Sequence, residues 1–223
     1  MQSTDHKRTR LLPEMEGLTA RWYAKNRGTA SQLAAWRRQA AQLTASLPAG
    51  SQLLEVAPGP GYFSVELARL GFEVTAVDIS HTMVQITTEN AELAGVEVTV
   101  RHGDAARLPF PDEAFDLVVC QAAFKNFPEP VAAMDQMHRV LCPGGTAVIH
   151  DLRRDATAED IAAEVRQMGI GRVGSAFTRL ALAALRRRAI LAAEFERLAA
   201  ASAFGGCTIT SEGVGLEVRL VRR

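Results

Sequence analysis

Leu53-Leu54-Glu55-Val56-Ala57-Pro58-Gly59-Pro60-Gly61-Tyr62-Phe63 is the stretch that decides the fold. An apolar run carrying one acid passes into a tight glycine turn, and amphipathic helix-like sequence follows at once. Gly59 and Gly61 lack a Cβ, so the backbone there can take turn dihedrals and approach a ligand closely. Proteins that hold a pyrophosphate at a helix N-terminus use the same strand, turn and helix. The loop by itself therefore points to nucleotide binding without choosing the nucleotide.

Outward from this loop, short apolar runs alternate with helical ones. Gln52 to Ala57, Glu73 to Val77, Val96 to Arg101, Phe115 to Cys120 and Thr146 to His150 read as strands. Between them, Gly61 to Leu70, Ser80 to Ala94 and Pro128 to Val140 have helical spacing. Alternation of this kind predicts an α/β fold: a doubly wound, mostly parallel sheet covered by helices on both faces. Cys207 to Ser211 and Leu216 to Val221 flank the turn signal Glu212-Gly213 and predict a C-terminal antiparallel hairpin, which makes seven strands.

The flanks read as helical caps. After a flexible tail over 1–12, Pro13 suits the first turn of a helix running through Trp22 and Tyr23 to about Arg27, with Gly28 closing it. Thr29 to about Ser46 gives a second helix. Ala156 to Ala203 reads as mainly helical, broken near Gly169-Ile170-Gly171. One domain over 13–223 is expected: an N-terminal cap (13–50), a ligand-binding core (51–151), a helical substrate or lid region (152–206) and the hairpin (207–223).

Twenty-five basic and twenty-five acidic side chains cancel, so no global field draws the chain to nucleic acid or to an anionic membrane. Arg172, Arg179 and Arg186-Arg187-Arg188 form a local basic stretch that reads as a solvated helix face. Cys120, Cys142 and Cys207 are odd in number and widely spaced, which predicts buried free thiols and no metal cluster. No stretch has the length of apolar sequence needed for a membrane helix, and a cytoplasmic location is expected.

Three further segments bear on the nucleotide, the first of them shared by NAD and S-adenosylmethionine proteins. Phe72 to Asp78 is a strand ending in a carboxylate that can accept hydrogen bonds from both hydroxyls of a ribose; alternatively, Asp78 caps the helix that begins near Ser80. Arg101-His102-Gly103-Asp104-Ala105-Ala106 follows the third strand, where Asp104 can accept from an adenine amino group. Val140-Leu141-Cys142-Pro143-Gly144-Gly145 then turns a helix into the fifth strand. Together the four segments resemble the class I S-adenosylmethionine-dependent methyltransferases, over about Ser51 to Asp151. The Phe124-Lys125-Asn126-Phe127 run is similar to a segment of the ubiquinone and menaquinone biosynthesis methyltransferases.

The resemblance implies S-adenosylmethionine as cofactor and methyl transfer to an O, N or C atom of a small molecule. It places Glu55 near the methionine ammonium, Ala57, Gly59 and Gly61 along the amino-acid part, Asp78 on the ribose, Ile79 and Met83 beside adenine, and Asp104 and Ala105 at the adenine edge. Gln121, after the fourth strand, falls by the methionine portion. Ala57 stands where glycine is usual.

On the acceptor side, Lys125 or Asn126 can orient the acceptor, or else Lys125 is solvated and Asn126 is a turn residue. His150 is a candidate base by its intrinsic pKa, or else a satisfied strand-end histidine, and Asp151 can orient it or cap the next helix. Tyr23 offers a phenol from the N-terminal cap. The reaction requires no metal, and the chain is expected to act as a monomer or homodimer. Two other readings stay open: a nicotinamide-dependent oxidoreductase, and a non-catalytic binding or assembly protein.

Overall fold

In the computed structural model, residues 15–167 and 172–223 are described. Pro13, the 1–12 tail and the break near Gly169-Ile170-Gly171 fall outside them. The strands are β1 (Gln52–Val56), β2 (Glu73–Asp78), β3 (Val98–His102), β4 (Phe115–Gln121), β5 (Leu141–Leu152), β6 (Thr208–Glu212) and β7 (Gly215–Val221). They form one sheet in the order β3-β2-β1-β4-β5-β7-β6. All pairings from β3 to β5 are parallel, and β7 runs antiparallel to both neighbours. The expected mostly parallel seven-stranded sheet with its terminal hairpin is what the chain forms.

Parallel strands joined by helices are buried on both faces, and successive side chains alternate between them. Leu53, Leu117, Val119 and Val148 face α2 (Ala30–Thr44) and α3 (Tyr62–Arg69), meeting Ala40, Leu43, Phe63 and Leu67. Leu54, Val118, Cys120 and Ile149 face the other way, against Met134 and Met137 of α5 (Pro130–Val140) and Phe195 and Leu198 of α8 (Ala192–Ala201). Each fully buried leucine here contributes roughly 1.5–3 kcal/mol by removal from water. α1 (Gly17–Lys25) packs Ala20 and Ala24 on Met83 and Ile86 of α4 (His81–Ala94).

Three expectations change in detail. The fifth strand begins at Leu141 rather than at Thr146, because the Arg222 backbone pairs with Gly144 N at 2.8 Å and Gly145 O at 2.9 Å. Pro143-Gly144-Gly145 is thus a kink inside β5. The late helical region divides again between α7 (Arg172–Arg186) and α8, since Ala189 and Ile190 are fully buried and Ile190 bridges to Arg153. Of the three free cysteines, Cys120 alone is fully buried; Cys142 and Cys207 are partly exposed. No helix among the described residues is long and apolar enough to cross a membrane.

The order of strands reverses between β1 and β4, which sit side by side with their connections leading to opposite ends of the sheet. A crevice opens at such a point, beyond the carboxyl ends of the strands.

Candidate functional site

The crevice holds a cavity of about 310 Å³. Its floor is the loop after β1. Ala57, Gly59 and Gly61 have φ of +57°, +56° and +74°, a left-handed path that glycine takes freely and alanine resists. Gly61 begins α3, and a Cβ on it would lie 2.3 Å from Thr87 Cγ2, so this position admits no side chain. Side chains from α4 fix the loop: Thr87 Oγ1 donates to Gly59 O at 2.8 Å, and Asn90 Nδ2 to Pro60 O at 2.8 Å.

Asp78 ends β2 beside this loop. Its two carboxylate oxygens accept from Ser80 N at 2.9 Å and Gly59 N at 3.2 Å. Ser80, rather than Asp78, caps α4, its hydroxyl accepting from Met83 N at 3.0 Å. Burial pushes the Asp78 carboxyl up to about 6, against the lowering effect of those backbone donors. Glu55, on β1, is 1% exposed and accepts a short hydrogen bond from the Ser64 hydroxyl. Burial raises it to about 7, and the nearby Asp78 adds to the rise. Two carboxyl groups are therefore withdrawn from water with no cation paired to either among the described residues. Groups in that condition gain from a ligand that brings hydrogen-bond donors or positive charge.

At the other end of the cavity, Asp104 accepts from Ala106 N at 2.9 Å and lies 3.6 Å from the exposed Arg107. Gln121, at the end of β4, has a buried Nε2 with no hydrogen-bond partner among the described residues. A buried donor left unpaired costs roughly 1–3 kcal/mol, a debt that an acceptor on a ligand removes.

Of the residues singled out in the sequence, Tyr23, Glu55, Ala57, Gly59, Asp78, Ile79, Met83, Asp104, Ala105 and Gln121 all line the cavity, as does Asn126. Gly61 supports the floor from behind. Trp22 points outward and is 66% exposed. His81 stacks on His102 with ring centroids 3.7 Å apart and is not among the lining residues.

Lys125 and His150 are not among them either. Lys125 Nζ donates to Asp151 Oδ1 at 2.7 Å and to Ala122 O, and its side chain is 6% exposed. Its backbone N–H donates to Asp151 Oδ2 at 3.0 Å. Lys125 is a buried clamp on the loop after β4. The His150 Nε2 atom lies 2.7 Å from Glu217 Oε2 on the neighbouring β7, and burial lowers its pKa against the pull of that carboxylate.

The lining also contains Arg27, Trp36 and Glu129, which no motif flagged, and Tyr62 and Phe127, which stand in the glycine-loop stretch and in the Phe124-Lys125-Asn126-Phe127 run but were given no role. Arg27, Trp36 and Glu129 come from separate helices and turns and carry no local signature.

Residues 54–149 match the methyltransferase domain family model. A demethylmenaquinone methyltransferase of Thermus thermophilus is 38% identical over 116 residues, covering 51% of this chain and 52% of the relative. One from Deinococcus radiodurans is 36% identical over 117 residues, covering 51% and 48%. The chain thus spans about half the length of the curated relatives it matches. Among solved structures, an S-adenosyl-L-methionine-dependent methyltransferase described as putative, from Methanococcus maripaludis, superposes with a TM-score of 0.70 at 17% identity, covering 95% of each chain. An Aquifex aeolicus SAM-dependent methyltransferase gives 0.68 at 17% identity, covering 91% of this chain and 98% of that one. These two likenesses concern the fold.

Proposed function

We propose, on the premise that residues 54–149 are a class I methyltransferase domain, that this chain binds S-adenosylmethionine in the crevice and passes its methyl group to an O, N or C atom of a small molecule. The observation that carries the reading is the set of polar groups around one cavity: Glu55, Asp78, Asp104 and Gln121 Nε2, which has no partner among the described residues. The cofactor offers a ribose diol, an adenine amino group and an ammonium, all donors, together with one carboxylate. Three acids and one buried amide donor match that inventory in kind. A nicotinamide cofactor shares the ribose and adenine contacts but brings an anionic pyrophosphate where S-adenosylmethionine brings an ammonium, which a buried carboxyl such as Glu55 does not suit.

When bound, the cofactor supplies a methyl group on a positively charged sulfur, already activated for transfer. Asp78 holds the ribose hydroxyls. Asp104, with the Ala105 backbone, reads the adenine edge, while Ile79 and Met83 pack beside the ring. Glu55 faces the ammonium, directly or through the loop backbone, and the arriving positive charge favours its ionised form. Gln121 donates toward the amino-acid portion. Tyr23 and Asn126 lie on the acceptor side, and Lys125 acts at one remove, by holding the loop that carries Asn126. His150, bound to Glu217, is outside the reaction path. With the donor activated, alignment and exclusion of water supply the rate, and orientation alone is worth roughly 7–11 kcal/mol in favourable systems.

The test is product formation. The protein is incubated with methyl-labelled S-adenosylmethionine and fractionated small-metabolite pools, and products are identified by mass spectrometry. A labelled small molecule formed in equal amount with S-adenosylhomocysteine is expected. Binding of S-adenosylhomocysteine without turnover on any pool would favour a binding protein; stabilisation by NADH in its place would return the chain to the oxidoreductases.

A further inference from the structure

We propose that α7 is a docking surface for an anionic lipid membrane, its leucines entering the headgroup layer and its arginines meeting the lipid phosphates. The surface lies apart from the crevice, so the inference stands whether or not the methyl-transfer reading does.

α7 packs along α6 (Ala158–Gln167). α6 buries Ile161 and Val165, whereas no described side chain of α7 is buried. The half-buried row of α7 includes Ser175, Thr178 and Leu182. Ala176, Leu180 and Ala184, four residues apart, stand together on its exposed side, and Leu185 is exposed at the edge of that row. Leu180 is 72% exposed. An ordinary surface helix turns its apolar stripe to the core and its polar stripe to water. These rows do the reverse, with two hydroxyl residues half-buried and leucine in solvent. No described residue of 152–206 lines the cavity, so the exposed row does not serve as a wall for substrate.

The charge of the segment supplies the second half of the argument. Between Glu164 and Glu194 the chain carries six arginines, at 166, 172, 179, 186, 187 and 188, and no acid, although basic and acidic residues balance over the whole sequence. Arg186 donates to Ala156 O and ties the end of α7 to the body of the protein. Arg179, Arg187 and Arg188 are exposed, and no carboxylate among the described residues pairs with them. Elsewhere, Arg37, Arg139, Arg153 and Arg222 are each held by a carboxylate at 2.7–2.8 Å.

An outward apolar row flanked by free guanidinium groups is the pattern of a helix that lies in the plane of a membrane interface. Long arginine side chains reach the phosphates while leucines sit below them. A nucleic acid would use the charge and leave Leu180 and Leu185 in water. A second copy docked on the same face would bring arginine against arginine, with no acid in the segment to pair them. An anionic lipid surface satisfies both halves of the pattern.

The experiment is co-sedimentation of the full chain with vesicles of phosphatidylcholine alone and of phosphatidylcholine with phosphatidylglycerol. Wild type should bind the anionic vesicles, release them in high salt and leave the neutral ones unbound. Replacing Arg179, Arg187 and Arg188 together by glutamine should weaken binding about a hundredfold, at about fivefold for each charge. Leu180→Gln with Leu185→Gln, which keeps every charge, should weaken it about tenfold or more. All six positions of charge and apolar contact named for substitution or comparison lie in solvent or beside it, and melting temperatures equal to wild type check that the variants fold. No binding of wild type to anionic vesicles, or equal binding to both kinds, overturns the proposal. So does a leucine variant that binds as wild type does, which would reduce the contact to charge alone. A wild-type dimer in sedimentation equilibrium that the leucine substitutions dissociate would give the face to a second copy and overturn it as well.

Discussion

The carboxyl ends of β1 and β2 and those of β4 and β5 face the same end of the sheet, yet their buried acids live in opposite conditions. Glu55 and Asp78 are buried without a cation and lie above their ordinary pKa range, at about 7 and about 6. Asp151 is just as deeply buried, but it takes the Lys125 ammonium at 2.7 Å and two backbone N–H groups at 3.0 and 2.8 Å. The first pair has bonding capacity left for a ligand; the second is already complete. Position at a strand end is thus no guide to function until the partners are counted. Pairing with a cation accounts for Lys125 and Asp151 as architecture, and its lack is what supports the proposal that Glu55 and Asp78 meet a ligand.

The sharpest way to break this contrast is to strip the completed region. Lys125→Met leaves Asp151 buried without its cation, which should cost about 3–5 kcal/mol in unfolding free energy. Lys125→Met combined with Asp151→Asn should recover part of that loss, measured by denaturant titration. A single variant as stable as wild type would show that the pair is not the clamp described here.

The incomplete region makes a prediction in pH. As pH rises from 4.5, the ordinary value for glutamate, to about 7, Glu55 gives up its proton in the unfolded chain but keeps it in the folded one. The native state then binds more protons, so stability falls as pH rises across that window. Asp78 acts in the same direction between 3.8 and about 6. Glu55→Gln should flatten the decline of the melting temperature between pH 4.5 and 7 while leaving part of the slope below 6; an unaltered slope would contradict the burial argument.

A smaller effect is expected at the loop. Ala57 holds a φ of +57° that costs a non-glycine residue roughly 1–2 kcal/mol, less what glycine loses in chain entropy. Ala57→Gly should raise stability by up to about 1 kcal/mol and leave cofactor affinity within about twofold, since the backbone path already exists. A loss of stability would mean that the alanine methyl makes contacts that outweigh the strain. The smallest effect belongs to His150, whose substitution by alanine should change turnover by less than about threefold, because its ring is engaged with Glu217. A hundredfold loss would return it to the reaction.

The sheet and the polar lining of the cavity were legible because their signals are local. Leu53 to Phe63 carries strand, turn and helix in eleven residues, and Asp78 ends, and Asp104 closely follows, a strand visible by its own pattern. Even the departure at Ala57 could be read, and the structure shows what it costs the backbone. Partners that meet across the fold were not legible. Lys125 and Asp151 are 26 residues apart, and His150 meets Glu217 only once β7 is set in antiparallel register beside β5. Nothing near Arg27, Trp36 or Glu129 announces that the turn after α1, α2 and the start of α5 converge on one cavity. The boundary of β5 was missed for the same reason, since Leu141 joins the strand through its pairing with Phe115 and the nearby kink is held by Arg222 at the chain's far end.

The contrast between the two regions is tested most directly by calorimetric titration of S-adenosylhomocysteine into wild type and Asp78→Ala. If the crevice is the cofactor site and Asp78 holds the ribose, wild type binds one equivalent and the variant loses about a hundredfold or more in affinity, as expected for two hydrogen bonds to a charged group. Equal affinity in the two proteins would contradict the account.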